Sequence, residues 1–248
     1  PNNEEYGLFG YFFGGTNDKV PASVTKVEIN GENIEGGYIP IKAFANCGNI
    51  VDIVIYNERD ISDNAFTNCR NLKNLYIPKT VVGIGKEILS GCTNLETLVV
   101  PFIGRDRNDN NSETSVLGGF FECSEEKTKW TKQYYDEANG KGFLYYNIPR
   151  SLKNVSVLNQ TRIPTGAFQN CDFIKKVAIV TAGEIGKQAF SGCTALESVS
   201  LPNDLWRIGT KAFEQCEKLQ LVNIPNSVGK IGELAFYNAR NLKNITIP

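Results

Sequence analysis

The sequence predicts a solenoid of about nine coils of 22–23 residues, with the strands of successive coils aligned in one parallel β-sheet. Three observations carry this expectation. Ala-Phe-x-x-Cys recurs at Ala43–Cys47, Ala65–Cys69, Ala167–Cys171, Ala189–Cys193 and Ala212–Cys216, with degenerate copies at Ile88–Cys92 and Ala235–Ala239. An Ile stands four residues before each Ala or its substitute, and Leu or Ile three residues after each Cys or Ala239. A short alternating run then ends at Pro, as in Leu75-Tyr76-Ile77-Pro78.

Each part of the unit I-G-x-x-A-F-x-x-C-x-x-L-x-x-L-x-I-P-x-x-V has a physical reading. Ala, Cys and Leu at i, i+4 and i+7 share one face of a short helix or pair of helical turns, so helical or irregular turns are expected between strands. The L-x-I run alternates with period two, which buries one face and exposes the other. Leu75, Ile77, Leu98, Val100, Val199, Leu201, Val222 and Ile224 should point inward. Pro ends the strand because it has no N–H for the ladder, and Gly85, Gly186, Gly209 and Gly232 suit corners. One such unit has too little chain to cover its own apolar stripe; stacked neighbours cover it. Nine strands, from Val27–Ile29 to Ile245–Ile247, at about 4.8 Å each make a sheet roughly 40 Å long.

The repeats fall in two blocks of a single solenoid spanning 1–248: residues 20–101 and 148–248, separated by an aromatic-rich insert at 102–147. Residues 39–101 match 163–225 at a constant offset of 124, which points to duplication of a module of roughly 100 residues. The lead-in strands Val27-Glu28-Ile29 and Val155-Ser156-Val157 correspond, and Phe12-Phe13 is echoed by Phe120-Phe121. Within the insert, Ser124-Glu125-Glu126 reads as a helix start, with Ser124 as N-cap and the acids matching the dipole. Trp130 and Tyr134 would then share a face, with Tyr135 nearby. These aromatics either form a partner site or cover the open edge between blocks, as Phe9, Tyr11, Phe12 and Phe13 would at the chain's start.

Composition narrows the chemistry. The chain has 248 residues, no His, and 26 Lys plus Arg against 27 Asp plus Glu. Without His there is no Ser-His-Asp triad, no Cys-His nucleophile and no His-ligated zinc. Near-neutral charge offers no global attraction to nucleic acid, and no apolar run is long enough to span a bilayer. Six of the seven Cys share one repeat position without C-x-x-C pairing, so a ladder of buried, reduced thiols is expected rather than a metal site. Cys123 stands apart as the thiol to be exposed or paired elsewhere. Asp106–Asn111 opens like a calcium loop, but Asn111 and Leu117 replace the required Gly and Glu, leaving a solvated polar loop. Gly-Lys pairs at 85–86 and 186–187 lack phosphate-loop spacing. Sequons at Asn110, Asn154, Asn159 and Asn244 matter only in a eukaryotic secretory pathway. The chain starts at Pro1 without Met or signal peptide, as a fragment or a mature form would; its last unit ends at Pro248 without a polar cap, so the native chain is expected to continue.

The segment IPNSVGKIGELAFYNARNLKNITIP at 224–248, with seven copies of its pattern over about 200 of the 248 residues, resembles the BspA-like, or Treponema pallidum type, leucine-rich repeats. The resemblance implies a right-handed leucine-rich-repeat solenoid, usually on secreted or surface-attached proteins of bacteria and some protists. It also implies adhesion or host-protein binding. The expected function is thus non-catalytic binding of an extracellular protein, with no cofactor, metal, nucleic acid or membrane insertion; the alternatives are a structural spacer, or sugar binding through Trp130 or Tyr135. In such proteins the strand face lines the concave side. The candidate contact residues there are Asn74, Tyr76, Thr97, Val99, Lys176, Ser198, Ser200 and Asn223, joined by Trp130, Tyr134 and Tyr135 of the insert.

Overall fold

Alternation of apolar and polar residues sets nine short strands side by side. They are Lys26–Ile29, Asp52–Ile55, Asn74–Tyr76, Thr97–Val100, Asn154–Val157, Lys176–Ile179, Ser198–Ser200, Leu221–Val222 and Asn244–Ile245, each hydrogen-bonded in parallel to the next in that order. The computed structural model describes residues 12–30, 37–109, 112–127, 129–135 and 142–247. Phe9 and Tyr11 lie outside the described residues. The expected inward residues are buried, Leu201 partly so. The sheet passes without a break from Thr97–Val100 to Asn154–Val157, across the insert.

A second set of two-residue strands runs along the side of the solenoid, where the repeat Ile turns inward. Tyr38–Ile39, Asp60–Ile61 and Gly83–Ile84 form one parallel ladder; Arg162–Ile163, Glu184–Ile185, Arg207–Ile208 and Lys230–Ile231 form another.

The back of each coil differs from the helical expectation. From Phe13 onward the described residues contain only two short 3₁₀ turns, Asn17–Lys19 and Leu117–Phe120, and no α-helix. The reason lies in the residues just before Ala and just before Cys. Lys42, Asn46, Asn64, Asn68, Glu87, Asn170, Gln188, Lys211, Gln215, Leu234 and Asn238 have φ between 53° and 64°, and Gly91, Gly166 and Gly192 fill the remaining places. Such left-handed residues interrupt a right-handed helix. Each coil therefore makes i→i+3 turns, such as Cys47 N to Phe44 O at 3.2 Å. Its other amides point sideways: Phe44 N donates to Ala65 O and Asn46 N to Thr67 O, both at 2.8 Å. The same pair of bonds recurs from coil to coil, for example Phe190 N to Ala212 O at 2.8 Å.

Stacking at one strand spacing puts like on like in the core. Phe168, Phe190, Phe213 and Phe236 stack with centroids 4.9–5.2 Å apart and planes within 6°. Phe44 and Phe66 stack at 5.7 Å, and Leu89 interrupts the column in the third coil. The six ladder thiols are free and buried, while Cys123 is free and exposed. The Sγ–H of Cys69, Cys92, Cys193 and Cys216 donates to the carbonyl of Phe44, Phe66, Phe168 and Phe190 in the coil before, at 3.0–3.2 Å. Burial pushes the Cys47, Cys171 and Cys193 thiols well above the ordinary range and Cys216 up to about 12.

Two outcomes follow from this core. Phe190→Ala, which removes a ring stacked on both sides, should cost about 3–5 kcal/mol in urea unfolding; a cost below about 1 kcal/mol would contradict the stacked column. The buried thiols keep their protons in the folded state to a higher pH than in the unfolded chain. Their contribution is complete below the unfolded value near 8.5 and is lost as pH rises towards the folded value, about 12 for Cys216. The urea midpoint should therefore fall from about pH 9 upwards, and less steeply in Cys216→Ala; identical slopes in the two proteins would refute the linkage.

Candidate functional site

The outer face of the nine-stranded sheet, the side expected to be concave, is built by the outward half of each strand's alternation. Register places Lys26, Asp52, Asn74, Thr97, Asn154, Lys176, Ser198, Leu221 and Asn244 in one row, and Glu28, Val54, Tyr76, Val99, Ser156, Ala178 and Ser200 in the next. The expected residues Asn74, Tyr76, Lys176, Ser200 and Asn223 are exposed, and Thr97, Val99 and Ser198 half-buried, so they share one surface. Lys26, Glu28, Asp52, Val54, Asn154 and Ser156 belong to it as well. The same alternation in Lys26–Ile29, Asp52–Ile55 and Asn154–Val157 could have found them.

Charges on this face are largely paired. Lys26 meets Glu28 at 2.5 Å, and Asn74 Nδ2 donates to Asp52 Oδ1 at 2.6 Å. What remains differs between the halves. The first block presents Val54, Tyr76 and Val99 together, with Tyr56 next along its strand; Tyr56 is 45% and Tyr76 38% exposed. The second block presents Ser156, Ala178 and Ser200 in the same row.

The insert does not form the expected helix. Cys123–Ser124, Thr131–Tyr134 and Phe143–Tyr146 make an antiparallel sheet, with the third strand in the middle. Ser124 Oγ accepts from Glu126 N at 3.1 Å, a local turn rather than a helix cap. Alternation in Thr131–Tyr134 turns Gln133 inward and Lys132 and Tyr134 outward, so tertiary packing overrides the acidic start signal. Lys132 Nζ lies 3.7 Å from the Phe143 ring centroid, 4.9 Å from Tyr134 and 5.8 Å from Tyr145. This cation fills the outer aromatic face. Trp130 is half-buried with Lys127 Nζ 5.6 Å from its ring, and Tyr135 packs against the core. Trp130, Tyr134 and Tyr135 therefore do not line one helix face.

The inner side of the insert replaces a missing rung. Leu89 N donates to Phe120 O at 2.8 Å and Leu117 N to Ala167 O at 2.7 Å, so Leu117–Phe120 stands where a neighbouring coil's Ala-Phe pair would be. Phe120, Phe121 and Tyr146 are buried, and Tyr146 Oη donates to Glu113 O at 2.7 Å. On the side ladder, buried Gln160 donates to Ile103 O and accepts from Ile103 N, at 2.9 and 2.8 Å. The expected echo of Phe12-Phe13 in Phe120-Phe121 is not one of packing, because Phe12 and Phe13 are exposed. The echo lies in two amides. Asn17 Nδ2 donates to Ala43 O and Ala45 O at 3.1 and 2.9 Å; Gln133 Nε2 donates to Ala167 O and Gln169 O at 3.4 and 3.1 Å. Both cap the first rung of a block, and nothing in their flanking sequence marks them.

No group of three or more Cys, Asp or Glu among the described residues is placed to hold a metal, and no helix is long and apolar enough to cross a membrane.

Three backbone ladders around a buried stripe of Ala, Phe, Cys and Leu define a leucine-rich-repeat solenoid. The chain belongs to the BspA type leucine rich repeat family, whose model matches residues 22–112 and 142–248 in six copies. Among solved structures it is similar to a leucine-rich repeat protein from Bacteroides ovatus, at 22% identity over 88% of this chain and 60% of that one, TM-score 0.45. It is similar to the T. pallidum leucine rich repeat protein, at 19% identity over 79% of this chain and 72% of that one, TM-score 0.32. It is also similar to a leucine rich cell surface protein from Faecalibacterium prausnitzii, at 20% identity over 89% and 82%, TM-score 0.33. The chain thus spans less than two thirds of the Bacteroides ovatus protein. No curated protein matches the sequence.

The seat of the insert gives a direct test. Gly166 has φ 64°, and a Cβ there would lie 2.0 Å from Tyr134 O. In every other described coil this place carries a side chain. Gly166→Ala should cost roughly 1–3 kcal/mol from strain alone and speed protease cleavage within 102–147. Unchanged cleavage would mean that the small sheet does not rest on this coil.

Proposed function

We propose that this chain is a non-catalytic, cofactor-free binding module of a secreted or surface-attached protein, and that it holds an extracellular protein ligand against its concave sheet. Adhesion to a host or neighbouring-cell protein is the role most in keeping with the family. The observation that carries the reading is the cluster of exposed Tyr56 and Tyr76 with half-buried Val54 and Val99, in a rim of paired charges and amides. Tyr offers large contact area at low entropic cost and is enriched where binding energy concentrates. Asn74, Thr97 and Asp52 would then supply the polar rim, and Lys176, Ser198, Ser200 and Asn223 a flatter, weaker extension. The insert aromatics Trp130, Tyr134 and Tyr135 are assigned a covering role, because Lys127 lies over Trp130, Lys132 lies over Tyr134 and Tyr135 packs inward.

The test is surface plasmon resonance of the intact chain against purified matrix and plasma proteins. Saturable binding at or below about 1 μM, weakened at least tenfold in the Tyr56→Ala/Tyr76→Ala double variant and unchanged in Lys218→Ala, an exposed residue off the sheet face, is the expected result. Absence of saturation against every protein would favour the structural spacer. Binding that survives the tyrosine change but is lost in Trp130→Ala would move the site to the insert.

A further inference from the structure

The side ladder of the second block carries a cleft that the concave-sheet reading leaves unused. Its residues follow from the repeat: with Ile163, Ile185, Ile208 and Ile231 turned inward, the residues before them, Arg162, Glu184, Arg207 and Lys230, form a column on the flank. The matching column of the first block is Tyr38, Asp60 and Gly83 and has no cation. Glu184 is buried between two guanidiniums, 3.6 Å from Arg162 Nε and 3.2 Å from Arg207 Nη1. One carboxylate shared by two guanidiniums holds both side chains in place. Arg162 and Arg207 remain 30% and 38% exposed.

Trp206 stands beside this column. Its backbone N donates to Gly183 O at 2.9 Å, and its indole lies so close over Gly183 that a Cβ there would be 2.8 Å from Nε1. The missing side chain at Gly183 lets the indole settle against the backbone, yet Trp206 stays 53% exposed. The opposite wall comes from the polar loop at the start of the insert. Arg107 Nε donates to Thr161 Oγ1 at 3.4 Å, and Thr161 Oγ1 donates to Asn108 Oδ1 at 3.3 Å. Asp106 takes the Asn108 amide within its own loop, and Asp109 takes the Arg105 amide. Arg107, Asn108, Thr161, Arg162, Glu184 and Trp206 enclose about 280 Å³.

We infer that this flank cleft binds one anionic pyranose, a uronate or a sulfated sugar unit. An open indole offers an apolar platform for the C–H face of a sugar ring, with its N–H as a polar handle. Guanidiniums offer the fork that pairs with a carboxylate or sulfate. Asn108 and Thr161 supply neutral hydrogen-bonding groups for ring hydroxyls. The volume lies near the lower end for small-molecule pockets, which suits one ring and excludes a folded peptide segment. Arg107, exposed on the loop wall, supplies the positive charge, and Glu184 fixes Arg162 and Arg207 beside it, so the neutral sugar should bind far less well. The loop that resembles a broken calcium site thus supplies a wall of this cleft.

The experiment is ligand-observed NMR with calorimetry on the intact chain, using glucuronate, glucose, glucose 6-sulfate and acetate. Saturable binding of glucuronate or glucose 6-sulfate below about 10 mM, at least tenfold tighter than glucose or acetate, is expected; the tighter of the two names the acid group. Trp206→Ala and Arg107→Gln should each weaken it at least tenfold with thermal melting unchanged, while Trp130→Ala leaves it intact. Arg107 lies on an exposed loop, so its variant reports even if Trp206→Ala unfolds. Equal binding of glucose would overturn the role of charge, and equal binding of acetate would reduce the cleft to an anion hole. Loss in Trp130→Ala alone, or no saturation with either acidic sugar, would overturn the site.

Discussion

Sideways hydrogen bonding between coils is the constraint on which the rest of the structure depends. Coils lie one strand spacing apart and meet along the nine-stranded sheet, along the two flank ladders and along the back. Buried backbone groups left unpaired are costly, so every coil has to present its amides at the same three places. That requirement explains the left-handed residues at the back. An α-helix there would satisfy its amides internally and push neighbouring coils further apart than a β-ladder allows. The Asn-rich positions before Cys follow from it, because Asn tolerates that conformation better than most residues.

The insert obeys the same constraint. The strands Thr97–Val100 and Asn154–Val157 pair as direct neighbours although a long detour separates them, so the concave sheet loses nothing. On the other two sides the detour has to replace what a regular coil would provide. Leu117–Phe120 stands in for the back rung, and the Gln160 side chain pairs with Ile103 as a strand backbone would. Gln133 completes the carbonyls of the next rung, as Asn17 does at the start of the first block. The small antiparallel sheet then lies outside as a cover, held through Asn170 Nδ2 to Lys132 O at 2.7 Å.

Rigid columns of Phe and Cys inside leave the outside free to differ. The two blocks share their inward residues almost position for position, yet their outward rows diverge: tyrosines and valines on the first half of the sheet face, small polar residues on the second, and a flank column of two arginines around a buried glutamate on the second. A solenoid separates the residues that hold it together from those available for binding. The functional proposals therefore rest on side chains that the repeat pattern does not specify.

The repeat unit by itself determined the number of coils, the parallel sheet, the inward register of residues such as Leu75 and Val222, and the shared burial of six thiols. These follow from local spacing, since a period of 22 or 23 residues with one apolar stripe has one economical way to stack. The concave candidates were legible for the same reason: period-two alternation says which side chains face out. Tertiary structure decided the rest. The i, i+4, i+7 spacing of Ala, Cys and Leu is shared by a helix and by two left-handed turns, and only the demand for sideways hydrogen bonds selects the turns. Ser124-Glu125-Glu126 carries a sound helix start, but Gln133 is worth more pointing into the unpaired carbonyls of Ala167 and Gln169, and a strand delivers it there. Trp206, Arg162 and Arg107 meet in one cleft only because coil stacking and the returning loop bring distant segments within hydrogen-bond reach. Spacing along the chain encodes what each coil does to its neighbour; which surface residues meet across coils is set by the fold, because nothing in a single repeat specifies them.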